Sequence, residues 1–500
     1  MTIPPYDLVV IGGGINGTGI AADAAGRGLR VLLAEAEDLA GGTSSASSKL
    51  IHGGLRYLEH YAFRLVRESL AEREVLMAKA PHIIWPLRFV LPHAPGMRPA
   101  LVLRAGLFLY DHLSPRRSLG GSQSLDLKQN EAGRPLANGF GRGFSYWDCW
   151  VDDARLVVLN ALAARQKGAE VWTGTPVTAL AVEGPLWRVT LNSGGTSRTV
   201  AARAIVNAGG PWVAEIARLA LGKCSSPPPK VRLIKGSHIV VPRIAGADDA
   251  YIFQNADGRV VFALPFEAAF TLIGTTDTAY GGDPRDCRVT DGDQRYLLAA
   301  ANRYFRTPLS PADIVWQFAG VRPLEDDGSD NPSAVSRDYH LELQTAAGPP
   351  LLHVVGGKIT TYRRLAEAAL DKLAPLLPMG PAWTATAPLP GGNFGEGGYA
   401  TWCEGLVARR PGFSRSDLAR LTRRYGTRVD DLLGEARDTA DLGTDLGGHL
   451  SRREVEFLKR EEWAVNADDV LWRRTKTALH VASHDREGLA ARVQAVLDAV

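Results

Sequence analysis

The chain has 500 residues, 45% of them hydrophobic and 22% charged, with a formal charge of +3. That length exceeds one hydrophobic core and predicts two or three domains of ordinary globular composition. The small charge gives no ground for a nucleic-acid partner. Cys149, Cys224, Cys287 and Cys403 lie far apart with no C-x-x-C pair, which argues against an iron–sulfur or zinc module and for a reducing compartment.

No run reaches the roughly 18 apolar residues of a spanning helix. The opening "MTIPPYD" has neither the charged start nor the apolar stretch of a signal peptide, so the expectation is a cytoplasmic protein.

Residues 6–36 read as strand, glycine turn, helix and strand. Gly12-x-Gly14-x-x-Gly17 lies in the turn, with Gly13 and Asn16 between. Gly12 permits the tight turn, Gly14 lets backbone N–H groups reach a pyrophosphate, and Gly17 lets helix and strand pack closely. The helix N-terminus adds unpaired donors and a partial positive charge. Glu35 ends the second strand 18 residues past Gly17, where a carboxylate accepts bonds from a ribose diol.

FAD and NAD both bind such turns, and the loop after the second strand favours FAD. The stretch "GGTSSASSKLIHGGLRYLEH" (41–60) is long and polar, able to run alongside an extended cofactor. It supplies Thr43, Ser44, Ser47, Ser48, Lys49, Leu50, His52 and Gly53.

Residues 61–79 have helical periodicity, and 81–144 read as a cap or membrane-contact insertion rich in Pro, Gly and Arg. Within it, "RPALVLRAGLFLYDHL" (98–113) is apolar but interrupted by Arg104, with Trp85, Arg88, Arg116 and Arg117 nearby. It is either a helix lying in a membrane interface or a buried cap helix.

Residues 171–191, which include Val177, alternate as strands do, and "ARAIVNAGGPWV" is a buried strand ending in a tight turn at Gly209 and Trp212. "KCSSPPPK" marks the crossing into a second sheet containing "RLIKGSHIVV", "RVVFALPF" and "FTLIGTTDT". In "LLHVVGGKITTYRRLAEAAL" a strand meets Gly356, Gly357, Lys358 and Thr360 before a helix, whose N-terminus can face a developing anion on a flavin ring. Residues 386–399 are a flexible linker, and 400–500 are helical. His480 and His484 lie one helical turn apart, but Val481 stands where H-E-x-x-H requires glutamate, so no metal is expected.

Five motifs in order, "SSKLIHGGLRYLEH", "KGSHIVVPR", "FAGVRPL", "SAVSRDYH" and "VVGGKITTYR", resemble the FAD-dependent glycerol-3-phosphate dehydrogenases of the aerobic, quinone-linked type. The resemblance spans residues 6–375, and the helical tail agrees with it. The anaerobic relatives carry cysteine clusters near the C-terminus, where Cys403 stands alone here.

The resemblance implies an α/β Rossmann-like FAD-binding domain (1–80, 145–225 and 345–385). With it come an antiparallel-sheet substrate domain of the glycine-oxidase and D-amino-acid-oxidase type (226–344) and an all-α C-terminal domain. It implies oxidation of sn-glycerol 3-phosphate to dihydroxyacetone phosphate, with electrons passed to a membrane quinone. It further implies peripheral attachment to the inner face of the cell membrane, and leaves a homodimer open. Arg56, Arg322 and Arg337 are the expected phosphate ligands, since guanidinium forks suit phosphate oxygens. Tyr57 lines the pocket beside them.

Lys358 stands at the flavin edge, where its charge stabilises the anion that forms as hydride arrives. His238 is the expected general base, with His52 and Lys358 as alternatives, because imidazole titrates nearest pH 7. An oxygen-using oxidase, a glycine-oxidase-like amine oxidase and a non-enzymatic flavin-binding scaffold remain the competing readings.

Overall fold

The computed structural model describes residues 4–94, 97–115, 118–220, 228–326, 338–346 and 348–499. Arg116, Arg117, Cys224, Arg337 and most of the Pro-rich crossing therefore lie outside the described residues.

One sheet runs in the order Tyr339–Gln344, Leu351–Gly356, Thr196–Asn207, Tyr6–Ile11, Val31–Ala34 and Glu170–Trp172. From Leu351–Gly356 to Glu170–Trp172 every join is parallel. Parallel strands are covered on both faces, which is why "LVVI", "VLLA" and "AIVN" are unbroken apolar runs. The hairpin Val177–Glu183 and Leu186–Ser193 adds antiparallel to Thr196–Asn207.

The helix Ile15–Gly26 is almost wholly buried, and packs against the helices Asp153–Gln166 and Tyr362–Leu373. Its small residues make that possible: a Cβ on Gly19 would stand 2.7 Å from the Tyr362 ring.

The second sheet has ten strands: Thr278–Ala279, Val231–Pro242, Phe270–Gly274, Val260–Phe266, Ala250–Gln254, Ile84–His93, Arg142–Val151 and Leu50–Ile51 in order, with Trp316–Glu325 added on Val231–Pro242 and Gln123–Asp126 on Arg142–Val151. Its joins are antiparallel except that between Ala250–Gln254 and Ile84–His93.

Several boundaries differ from the sequence reading. Leu50–Ile51 and residues 145–151, expected in the FAD-binding domain, lie in this sheet. The expected flexible linker 386–399 packs, with Leu389 in the first core and Phe394 buried. Residues 81–144 are not wholly an insertion, because Ile84–His93 is a strand in the middle of this sheet. Pro86 and Pro92 interrupt "IWPLRFVLPH", and proline withholds a ladder donor, so the stretch carries no clean strand signal. At the other end, Tyr339–Gln344 pairs with Leu351–Gly356 and belongs to the first sheet. The helix Ala100–His112 does stand outside both sheets, with Leu101, Val102, Phe108 and Leu109 exposed.

The helical domain has its own core, built from residues such as Leu418, Leu421, Leu458, Val470 and Val493. Ser414 and Ser451 cap two of its helices by accepting the N–H groups of Asp417 and Glu454. It docks on the first domain through Arg155 and Glu462, both fully buried, with Arg428 on the same carboxylate at 2.6 Å. Burial alone would raise the Glu462 carboxyl, but the two guanidiniums hold it at about 2. Removing one partner of such a pair typically costs about 3–5 kcal/mol, because a buried charge is left uncompensated. Among the described residues no helix is long and apolar enough to cross a membrane.

Candidate active site

A cavity of about 500 Å³ opens where the carboxyl ends of Tyr6–Ile11, Thr196–Asn207 and Leu351–Gly356 meet the second sheet. Three loops converge there. Asn16 Nδ2 donates to Gly356 O at 3.1 Å, tying the glycine turn to the Gly356–Gly357 turn. The His52 N–H donates to Thr360 Oγ1 at 3.2 Å, and the Ile15 N–H to Ser44 Oγ at 3.0 Å. The polar loop thus lies between the other two.

Glycine is required at two points of the first turn. Gly12 has a φ of +114°, and a Cβ on Gly17 would stand 1.9 Å from Gly12 O. Glu35 accepts from the Gly13 N–H at 2.5 Å and from the Glu37 N–H at 2.8 Å. Burial lifts its carboxyl above the usual value despite these bonds.

On the opposite wall, Arg322 projects from Trp316–Glu325. Its Nη1 donates to Asp277 Oδ1 at 2.6 Å and its Nη2 to Thr275 Oγ1 at 2.7 Å. Lys358 Nζ sits 3.6 Å from the centre of the Tyr57 ring.

Of the residues singled out from sequence, Gly12, Gly14, Asn16, Glu35, Thr43, Ser44, Ser47, Ser48, Leu50, His52, Tyr57, Val177, Gly209, Trp212, Arg322, Gly356, Gly357, Lys358 and Thr360 line this cavity. Others support it from behind. Gly13 and Gly17 shape the turn, and the Gly53 N–H donates to Tyr110 Oη and Asp148 Oδ1. Lys49 turns away, with Nζ 2.7 Å from Asp153 Oδ1. Arg56 is half-buried and off the wall.

His238 requires correction as a group facing substrate. It is 1% exposed, stacks on Phe318 with ring centres 4.8 Å apart, and meets Ser48 Oγ through Nε2 at 3.0 Å. Ser48, not His238, forms the wall. Burial, aided by the charges of Arg322 and Lys49, holds the imidazole well below its ordinary pKa, so it is neutral at pH 7.

Sequence reasoning missed Thr275 and Asp277. "TTD" comes directly after the strand Phe270–Gly274, and a run of hydroxyl and carboxylate groups at a strand end was the available signal.

The cavity's lining suits a dinucleotide: glycine backbone at one turn, a carboxylate at the next strand end, and a polar loop between. Asn16 Oδ1, buried on this wall, has no hydrogen-bond partner among the described residues, and a bound cofactor's donor would satisfy it.

Fold and cavity together define a two-sheet flavin-binding oxidoreductase. The chain belongs to the FAD-dependent oxidoreductase family, whose model matches residues 7–363, and residues 382–499 match the C-terminal domain of alpha-glycerophosphate oxidase. It is 54% identical to a glycerol-3-phosphate dehydrogenase of Pseudomonas aeruginosa, over 98% of this chain and 95% of that one. It is 51% identical to a D-erythritol 1-phosphate dehydrogenase of Brucella abortus, over 96% of each. The crystal structure of a glycerol-3-phosphate dehydrogenase from Bacillus halodurans complexed with FAD superposes with a TM-score of 0.80. That match is at 28% identity and covers 100% of this chain and 92% of that one.

Gly17→Val should yield folded protein without bound FAD, read from flavin absorbance after purification. Gly106→Ala, where nothing lies within 4 Å of the added Cβ, should stay yellow. Normal flavin content in Gly17→Val would show that the glycine turn is not what holds the cofactor.

Proposed function

We propose that this protein oxidises sn-glycerol 3-phosphate to dihydroxyacetone phosphate and passes the electrons to a membrane quinone. The observation that carries the reading is the joint presence of His52, Tyr57, Arg322 and Lys358 on one cavity with the glycine turn. FAD, held by the glycine turn, Glu35 and the polar loop, supplies hydride acceptance.

Arg322 grips the phosphate: Asp277 and Thr275 fix its fork, and anchored donors lose little entropy on binding. Lys358 adds a second charge beside Tyr57. His52 takes the proton from the C2 hydroxyl. A base must come within hydrogen-bond reach of the proton it removes, and His52 is on the wall while His238 is behind Ser48. His238 positions Ser48 instead.

A second reading has a specific ground. The relative named for a four-carbon polyol phosphate is nearly as similar as the one named for the three-carbon substrate. Both substrates are phosphate monoesters with a secondary alcohol to oxidise, so the same cations serve either.

The exposed helix Ala100–His112 supports membrane contact. Leu101 is 84% exposed, and Tyr61, at 80%, comes just after the short helix on which this one packs. Large exposed apolar groups beside arginines suit a lipid interface.

Anaerobic flavin bleaching should be fast with glycerol 3-phosphate and absent with glycine. Faster bleaching by D-erythritol 1-phosphate would transfer the assignment to the longer substrate. Arg322→Ala should raise KM about tenfold or more with FAD content unchanged, the consequence of losing one charge-assisted hydrogen bond.

In single-turnover reduction, His52→Asn should slow the rate by about 10²–10⁴-fold and abolish the acidic limb of the pH profile. His238→Asn should keep that limb. The reverse pattern would return the base to His238.

Wild-type protein should float with anionic liposomes, and Leu101→Glu with Phe108→Glu should remain at the bottom. Equal flotation of both would move the membrane contact elsewhere.

A further inference from the structure

The helical domain contributes no described residue to the cofactor cavity, yet its most buried cations are aimed at the loop that lines it. Arg474, with a fully buried side chain, makes a bidentate pair with Asp38, Nη1 to Oδ2 at 2.7 Å and Nη2 to Oδ1 at 2.6 Å. Arg473 Nε reaches the same carboxylate at 2.5 Å. The two consecutive arginines converge on this acid from the π-helical turn Asp469–Arg474. Two residues on, Lys476 is held at a φ of +56° and places Nζ 2.7 and 2.6 Å from the two oxygens of Asp152.

Asp38 stands at the start of the polar loop, and Asp152 directly precedes the residue that holds its far end. The Asp38 carbonyl accepts from the Gly41 N–H at 2.9 Å, and that turn sends the Ala40 N–H to Gly13 O at 3.1 Å. Asp152 caps the helix whose next residue, Asp153, holds the far end. Asp153 Oδ2 accepts from Ser47 Oγ at 2.7 Å, and Oδ1 from Lys49 Nζ at 2.7 Å.

Apolar packing does not do this work on the outer side of the loop. There a second cavity of about 400 Å³ separates Gly41, Gly42 and Ala46 from Trp472, Arg473 and Lys476. The cations facing that space from the helical domain already have carboxylate partners, so the space is the gap under a clamp.

We propose that the C-terminal helical domain is an ionic clamp on the cofactor loop. Arg473 and Arg474 on Asp38, with Lys476 on Asp152, are positioning residues that hold residues 38–49 in the form that retains FAD. A loop of glycine and serine loses much entropy on ordering. The clamp meets that cost before the cofactor arrives, and so raises cofactor affinity without touching it. Burial alone would raise the Asp38 carboxyl, but Arg474 and Arg473 hold it below the usual range, so the clamp stays charged across physiological pH.

The test uses the full-length apoprotein, measuring FAD affinity by flavin fluorescence and amide hydrogen exchange by mass spectrometry. Asp38→Asn and Lys476→Met should each weaken FAD binding about tenfold or more, the effect of one lost charge-assisted contact. Exchange should accelerate in residues 38–49 while the helix Arg415–Tyr425 stays protected. Arg474→Lys, which keeps the charge but not the fork, should fall between wild type and Asp38→Asn. At saturating FAD the KM for glycerol 3-phosphate should be unchanged.

FAD affinity within about twofold of wild type in both variants overturns the clamp. So does loss of protection throughout the helical domain in both variants, which would make these pairs folding contacts of that domain instead.

Discussion

A helix that begins in contact with the strand before it leaves no space for a side chain at their crossing. Gly17 meets Gly12 O at that crossing, and the placement of everything around the cofactor cavity depends on it. The contact directs the first turn of Ile15–Gly26 into the cavity, so the positive end of its dipole faces that space. It also seats the helix low on the sheet, where Asp153–Gln166 and Tyr362–Leu373 close over its small-residue faces. Glu35 and the Gly356–Gly357 turn then lie at carboxyl ends of strands in the same parallel sheet, as ligand groups in open α/β sheets do.

The polar loop after Val31–Ala34 joins the two halves of the molecule. It leaves the first sheet at Glu35, runs along the cavity, and enters the second sheet as Leu50–Ile51. Leu39 and Ala40 anchor its start in the first core, but residues 41–49 are too poor in apolar side chains to hold themselves in place. Hydrogen bonds and ion pairs do so instead: Ser44 to the glycine turn, Ser47 and Lys49 to Asp153, Ser48 to His238, and Asp38 to the helical domain. Such ties weaken together when a charge is removed, since unpaired buried groups are costly. The proposed clamp would couple cofactor retention to domain docking through this one short segment.

The second sheet supplies the substrate-facing wall and the electrostatics behind it. Arg322 is held by Asp277 and Thr275, so its guanidinium is fixed in place. His238 lies in the next layer, where burial and two nearby cations keep it neutral. Both belong to motifs of the family, and both sit on adjacent antiparallel strands, with Phe318 opposite His238 and Arg322 opposite Ile234. That register puts both on one face of the sheet; Arg322 reaches the cavity, whereas His238 is covered by Ser48.

The glycine turn, Glu35, the polar loop and the Gly356–Gly357 turn were legible in the sequence because each is a local pattern: backbone freedom and spacing are properties of neighbouring residues. The same holds for the apolar runs of the parallel strands and the helical tail, whose periodicity is set by burial along one element. Tertiary structure alone decided the rest. Ile84–His93 became a central strand despite two prolines because Arg142–Val151 and Ala250–Gln254 pair with it from opposite sides. Thr275 and Asp277 became site residues because a strand distant in sequence brought Arg322 to them. His238 moved behind Ser48, and Arg474 reached Asp38 across 436 residues. These are contacts between elements, fixed by register and packing, and no spacing within a single element encodes them.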